Sequence, residues 1–281
     1  MNLAKSSIAS QLKSVLYKDK GMLVLNKLPG LTCQLATGLQ KKYELASPLR
    51  PVHRLDVGTT GCLTLAVTQR AAQEMSRQFA QGTVHKTYLA LVRGDSRSFL
   101  AASGRVTDPI RYHDGYFDGL GEGGEPSVTE WELLAESPIA PLSLVRLKLV
   151  TGHKHQLRIH LAKSLQAPIL GDQRYSTSPI HESISRQVHV PSNRMFLHAS
   201  RFSLLKYRSG GPQKRFRLGI QAPLPADWVG LCQKLKLPIP SSEVNGGLSI
   251  NGEPIQDTEI AGVDGRWLLN EQRRGMDKLP F

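Results

Sequence analysis

The apolar residues of this 281-residue chain come in short runs, and that limits its fold more than any other feature. Met22–Asn26 (MLVLN), Gly61–Val67 (GCLTLAV), Val84–Val92, Ser127–Leu134, Leu142–Val150 and Phe216–Ile220 have strand length and are broken by turn-forming residues. A helical pattern of some length occurs over Gln69–Ala80, where Ala71, Ala72, Met75 and Phe79 share a face. Thr68 is placed to cap its start and Gly82 to stop it. Asp227–Leu235 reads as a second, short helix after Pro-rich punctuation. Strands dominating the middle with helices interspersed give an α+β class with a mixed sheet.

Two stretches between these runs, Tyr112–Gly124 and Ser176–Asn193, read as loops. From Pro238 the composition shifts to Ser, Gly, Asn and Asp. Residues 238–281 therefore read as an appendage, loosely packed or partly disordered, to a domain over 16–237, with 1–15 as an N-terminal extension. Ile8, Leu12, Val15 and Leu16 would share one helical face, and the first acidic residue is Asp19. That pattern fits either an amphipathic first helix or a short mitochondrial presequence. A mitochondrial address is the expectation, with cytoplasm or nucleus as the alternative.

Lys and Arg number 36 against 23 Asp and Glu, a formal charge of +13 and a pI near 9.8. The cations are spread along the chain, which favours a polyanionic partner, because neutralising phosphates releases counterions. No apolar run approaches the roughly 18 residues of a membrane span. Cys33, Cys62 and Cys232 are odd in number and widely separated, so neither a disulfide framework nor a metal clip is expected.

Polar chemistry concentrates in two segments beside strong strands. Pro51–Gly61 (PVHRLDVGTTG) holds His53, Arg54, Asp56, Thr59 and Thr60. Thr151–Leu161 (TGHKHQLRIHL) holds His153, Lys154, His155, Gln156, Arg158 and His160. Groups this dense next to buried strands must be satisfied by one another or by a ligand. A histidine metal site is the sharp alternative. On a strand His153 and His155 face one side and His160 the other, while on a helix His155 falls out of line. No metal is expected, and the chain lacks both the GxSxG elbow and the paired carboxylates that would mark a hydrolase.

Taken together, the segments resemble the RluA-type RNA pseudouridine synthases. HRLDVGTTG is similar to HRLDxxTSG, TGHKHQLRIHL to TGRTHQIRVHL, and Pro168–Tyr175 (PILGDQRY) to PIxGDxxY. VLNKLPG at Val24–Gly30, HKTY at His85–Tyr88, LHA at Leu197–Ala199 and QAPLPADW at Gln221–Trp228 follow in the family's order. The likeness spans roughly residues 15–230. It implies a pseudouridine synthase fold, a mainly antiparallel mixed sheet with flanking helices and loops around a central catalytic cleft. It also implies an isomerase that turns uridine into pseudouridine in structured RNA.

By this resemblance Asp56 is the catalytic aspartate, Tyr88 the tyrosine that packs on uracil, and Arg158 the basic residue paired with the aspartate. Arg54 is the arginine that fills the gap left by an extruded nucleotide, and phosphate anchoring is its competing role. His53, Thr59, Thr60, Lys86, Lys154, His155, Gln156, His160 and Arg174 are expected RNA contacts. A wider basic face is expected to draw on Arg194, Arg201, Lys206, Arg208, Lys214, Arg215 and Arg217 as well. The sequence departs from the family at Leu28, Thr60, His153 and Lys154, none of them in the catalytic trio.

Uridine and pseudouridine are isomers, so stoichiometry calls for no cofactor. A buried aspartate would tend to protonate, and a neighbouring guanidinium opposes that. The nucleotide must leave its stack to expose C1′, at a cost of a few kcal/mol. Ribosomal RNA is the expected substrate, with tRNA the alternative, and a monomer is expected. About 15 residues precede the first family strand, so an S4 domain is not expected. A catalytically silent RNA-binding assembly factor on the same scaffold is the competing class.

Overall fold

The computed structural model describes residues 14–30, 48–95, 98–99, 101–176, 178–187, 189–192, 194–210, 214–256, 260 and 263–268. These divide into two compact units. The first draws on Met1–Val84, Ala199–Pro223 and Asn245–Phe281, the second on His85–His198 and Leu224–Val244, so far as those ranges are described. The strand pairs with a defined register are all antiparallel. An α+β class with a mainly antiparallel sheet is therefore what the sequence folds into.

The first unit is built on a sheet in the order β15 (Gly265–Trp267), β1 (Val15–Asp19), β2 (Met22–Lys27), β4 (Thr60–Ala66), β11 (Leu197–Tyr207), β12 (Arg215–Gln221), β13 (Gly247–Ile250), β14 (Glu253–Ile255). The short β3 (Arg50–Pro51) also pairs with β4. Helix α1 (Gln69–Ala80) starts where the sequence placed it, with the Thr68 hydroxyl accepting from the Ala71 N–H at 3.1 Å. Its Ala71, Ala72, Met75 and Phe79 pack on a core of Tyr17, Met22, Phe202, Phe216 and Ile220.

Asp19 closes the β1–β2 hairpin. Its buried carboxylate accepts from Tyr17 Oη at 3.0 Å, from the N–H groups of Gly21 and Met22 at 2.7 Å each, and from Lys206 Nζ at 2.6 Å. Val15 and Leu16, which looked like part of a helical face, are buried in a strand instead. Two apolar residues at i and i+1 fit a strand buried on both faces as well as a helix. The rest of that reading, residues 1–13, lies outside the described residues, as does Cys33.

The second unit has a sheet in the order β5 (His85–Arg93), β10 (Leu142–Leu149), β9 (Thr129–Glu136), β6 (Ser103–Val106). Leu89, Leu91, Leu142 and Leu144 from its strands pack against Trp228, Leu231 and Cys232 of α4 (Ala226–Lys234). Helix α2 (Gln156–Ile159) runs on into one π turn, His160–Ser164. Short helices α3 (Glu182–Ser185) and α5 (Ser241–Asn245) complete the elements. Both described cysteines, Cys62 and Cys232, are buried thiols, and burial pushes each up to about 12.

Two further sequence expectations change. Tyr112–Gly124 is not a simple loop, because β7 (Ile110–His113) and β8 (Tyr116–Leu120) form a hairpin across Asp114-Gly115. Both turn residues have positive φ, 48° and 74°, which is the primed turn geometry that Asp-Gly favours. The stretch from residue 238, expected to be loosely packed, supplies β13–β15, and Leu248, Ile260 and Leu268 are buried. Its apolar residues are few, but they sit on an existing sheet edge, where a short strand gains ladder hydrogen bonds at once.

β4 and β11 approach unusually closely. At Gly61, φ is 103° and a Cβ would lie 2.3 Å from the Ala199 carbonyl oxygen, so only glycine fits. Gly61→Ala should therefore lose about 3 kcal/mol or more in urea denaturation. Gly82→Ala, at φ 66° with open space around it, should lose only about 1 kcal/mol.

Candidate active site

In the first unit the segment Arg54–Gly58 links β3 to β4 and carries Asp56, which is half-buried, after the buried Leu55. The backbone after Asp56 is held from the end of β2. Lys27 is only 1% exposed, and its Nζ donates to the carbonyls of Val57 at 3.0 Å and Leu28 at 3.1 Å. The Gly30 N–H donates to the same Val57 carbonyl at 2.9 Å, and the Thr59 N–H to the Asp56 carbonyl at 3.0 Å. An ammonium out of water costs several kcal/mol unless its donors are met. Lys27 is thus committed to the loop, and the loop to one conformation.

The neighbours of Asp56 in sequence separate into outward and inward groups. Arg54 is exposed, as an RNA contact requires. His53 turns inward. Its ring stacks on Phe202 at 5.4 Å and 10°, and its Nε2 accepts from the Thr64 N–H at 3.0 Å. Thr59 is 2% exposed and Thr60 is fully buried. These three were expected to touch RNA. Instead His53 is bonded to β4 at Thr64, Thr60 is a buried residue of that strand, and the Thr59 N–H closes the Asp56 turn.

In the second unit β5 presents Lys86 and Tyr88. Tyr88 is buried, opposite Leu147 of β10, and burial lowers the Lys86 ammonium below its ordinary value. The polar segment Thr151–Leu161 organises itself around an amide. Gln156 Oε1 accepts from Thr151 Oγ1 at 2.8 Å and the His153 N–H at 3.1 Å, while its Nε2 donates to Val128 O at 2.9 Å and Thr129 Oγ1 at 3.1 Å. His160 is fully buried, with Nδ1 at 2.9 Å from Thr129 Oγ1 and Nε2 at 3.1 Å from the Asp108 carbonyl. A carbonyl only accepts, so Nε2 carries the proton and Nδ1 accepts from the threonine hydroxyl. Burial lowers the His160 pKa, in keeping with that neutral ring.

Gln156 and His160 were also expected to contact RNA. Both are sealed inside and spend their polar atoms on the turn, which a sequence of closely spaced polar residues does not reveal. The three histidines diverge. His153 meets Glu125 and the Pro126 carbonyl, His155 meets Tyr175 Oη at 2.8 Å, and His160 lies in the interior. Among the described residues no group of three or more His, Cys, Asp or Glu could hold a metal ion.

Arg158 of α2 is held by Asp172, which the sequence reading quoted in PILGDQRY without giving it a role. Arg158 Nε donates to Oδ2 at 2.8 Å and Nη2 to Oδ1 at 2.9 Å, a two-pronged pair. Asp172 Oδ1 also accepts from the N–H groups of Arg174 at 3.0 Å and Tyr175 at 3.2 Å. Burial by itself would raise the Asp172 pKa. The Arg158 hydrogen bonds and charge, with the Tyr175 and Arg174 N–H groups, outweigh it and hold the carboxyl below its ordinary value. The Arg158 guanidinium also lies over the Tyr175 ring at 5.1 Å. Asp172 and Lys27 are the residues that sequence reasoning passed over. The available signals were a carboxylate beside a glycine and a lysine closing an apolar strand.

The wider basic face shrinks on inspection. Arg194 is buried, pairs with Asp227 at 2.7 Å and lies over Phe196 at 4.6 Å. Lys206 is engaged by Asp19, Arg201 donates to Gln221 Oε1 at 2.8 Å, Arg217 to the Thr83 carbonyl at 2.6 Å, and Arg208 lies over the Phe216 ring at 4.9 Å. Arg54, Lys154, Arg174, Lys214 and Arg215 stay exposed.

A family model described as RNA pseudouridylate synthase matches residues 14–163. The chain is 31% identical over 238 residues to the ribosomal large subunit pseudouridine synthase C of Escherichia coli, covering 82% of this chain and 72% of that protein. It is 31% identical over 210 residues to the tRNA pseudouridine synthase C of Pasteurella multocida, covering 66% of this chain and 83% of that one. Among solved structures it is similar to human RNA pseudouridylate synthase domain containing 4, with a TM-score of 0.67 and 26% identity, covering 85% of this chain and 99% of that one.

Removing one partner of a buried ion pair strands the other charge. Asp172→Asn should lower unfolding free energy by about 3 to 5 kcal/mol in urea titrations at neutral pH. Because the native carboxyl titrates below its unfolded value, its stabilisation is complete above that unfolded value and fades as pH falls through the native one. The Asn variant should lack that share of the acid-side loss.

Proposed function

The chain belongs to the RNA pseudouridylate synthase family, and on that premise we propose that Asp56 is the carboxylate that drives the isomerisation of uridine to pseudouridine. The family's activity is that of an RNA-directed isomerase. The observation that supports the assignment of Asp56 is its setting. It is a half-buried carboxylate on a loop whose Val57 carbonyl is gripped by a buried ammonium. A surface aspartate in a solvated ion pair needs no such grip.

The reaction breaks the N1–C1′ bond, turns the detached uracil, joins C5 to C1′, and moves one proton from C5 to N1. Nothing is added or lost. Asp56 serves either as nucleophile at C1′ or as the base that takes the C2′ proton to form a glycal. Both steps use a carboxylate held rigidly at the sugar, and a fixed backbone keeps the orientation at small entropic cost. Tyr88, buried on β5, has an apolar ring to set against uracil and a hydroxyl that can exchange a proton with C5. Arg158 enters as a positioning residue whose own orientation is fixed by Asp172.

Arg54, exposed beside Asp56, is assigned to the extruded nucleotide, either in the gap it leaves or on its phosphate. Large-subunit ribosomal RNA is the substrate proposed first, and tRNA the second. The names carried by the Escherichia coli and Pasteurella multocida relatives support one each. The protein is proposed to act as a monomer.

The test is single-turnover tritium release from ribosomal RNA and tRNA labelled at uridine C5 and prepared from cells lacking this gene. The native chain should release label from one pool. Asp56→Asn should slow release by about a thousandfold or more while RNA binding persists. Retention of activity within about tenfold of the native chain would remove Asp56 from the chemistry.

A further inference from the structure

We propose that Tyr116 is a stacking platform for an unpaired nucleotide of the bound RNA, with Lys154 and Arg174 placed to take the adjoining phosphates. The proposal rests on the RNA-directed reading above and adds a recognition element on the second unit. Tyr116 is 64% exposed, the most exposed of the large hydrophobic residues described. It stands at the tip of the β7–β8 hairpin, directly after the Asp114-Gly115 turn. What sets this ring apart from the comparably exposed Tyr207 is its company, since two cations lie over it.

The tip is not loose. Lys154 Nζ donates to the Gly115 carbonyl at 2.7 Å, and Tyr112 Oη donates to the Lys154 carbonyl at 2.5 Å. Lys154 Nζ lies 5.6 Å from the Tyr116 ring centroid and the Arg174 guanidinium 5.5 Å from it. Arg174 is also 5.8 Å from the Tyr175 ring, and Arg158 is 5.1 Å from that same ring. An alternating ladder of ring and cation therefore runs from the exposed tip down to Arg158, and Asp172 anchors it through Arg158 and the Arg174 N–H.

Charge selects the occupant. The acidic groups nearby have side-chain partners of their own: Asp118 pairs with Arg111, Asp114 lies against the His113 ring, and Glu125 against the His153 ring. Lys154 and Arg174, both exposed, meet no carboxylate among the described residues. An exposed ring flanked by two such cations suits a base with a phosphate on either side. Every base has a π face, and stacking on a protein ring is worth about 1 to 3 kcal/mol per base. A paired duplex offers phosphates but keeps its bases inside, so the platform should tell unpaired from paired RNA.

The experiment measures binding of full-length Tyr116→Leu, Tyr116→Phe and Tyr116→Trp chains at fixed salt. The probes are a synthetic RNA hairpin with a uridine-rich loop and a blunt RNA duplex of equal length. Leucine keeps apolar bulk and removes the ring, so its hairpin affinity should fall about tenfold with duplex affinity within about twofold. Phenylalanine should bind as the native chain does, and tryptophan as tightly or more so. Native hairpin affinity in the leucine chain, an equal loss on both probes, or tryptophan as weak as leucine would each overturn the platform. The series is repeated in an Asp56→Asn chain. A failure of the catalytic assignment then appears as residual tritium release and leaves the binding comparison to decide the platform by itself.

Discussion

A guanidinium and a carboxylate that leave water together each forfeit several kcal/mol of hydration, and they recover it only through good geometry and full hydrogen bonding. Arg158 and Asp172 meet both conditions. The fork is two-pronged at 2.8 and 2.9 Å, and backbone N–H groups of Arg174 and Tyr175 take up the carboxylate's remaining capacity. That single pair fixes α2 against the 171–175 turn. It also sets where Tyr175, Arg174 and His155 can lie. Gly171 makes the turn possible, since φ is 81° and a Cβ there would sit on the Arg194 carbonyl oxygen.

The first unit solves a similar problem with a lone cation. Lys27 has its charge buried at the end of a strand and uses it to grip the peptide after Asp56. In both units a buried ionic group sits one step behind the side chain assigned to the chemistry. Such groups contribute little net stability, but they penalise every other loop conformation, because an alternative would leave a charge dry and unmatched. For an isomerase, that conformational selectivity is what a fixed reactive geometry requires.

Much of this was legible in the sequence. The strands at 22–27, 60–66, 85–93 and 142–149 follow from apolar runs, and α1 from a 3.6-residue pattern with a threonine cap. The roles proposed for Asp56, Tyr88 and Arg158 rest on motif order. What misled was density. His53, Thr59, Thr60, Gln156 and His160 looked like a binding surface because polar residues crowd there, yet Thr59, Thr60, Gln156 and His160 are buried, and His53 spends its Nε2 on the Thr64 N–H. Periodicity cannot tell inward from outward polar groups when the segment is a turn. The β7–β8 hairpin was missed because its Asp-Gly signal sits in a stretch whose flanking residues alternate weakly. Lys27 and Asp172 were missed because their partners are backbone atoms, or a side chain fourteen positions away.

On the function proposed here, the Asp56 carboxylate acts at the sugar of a uridine drawn out of its stack. A crystal structure of the full chain bound to its RNA measures this directly. The target nucleoside should lie outside the helix, with C1′ about 3.5 Å from an Asp56 oxygen. A target uridine seated at another carboxylate, or still stacked in its helix, would contradict the account.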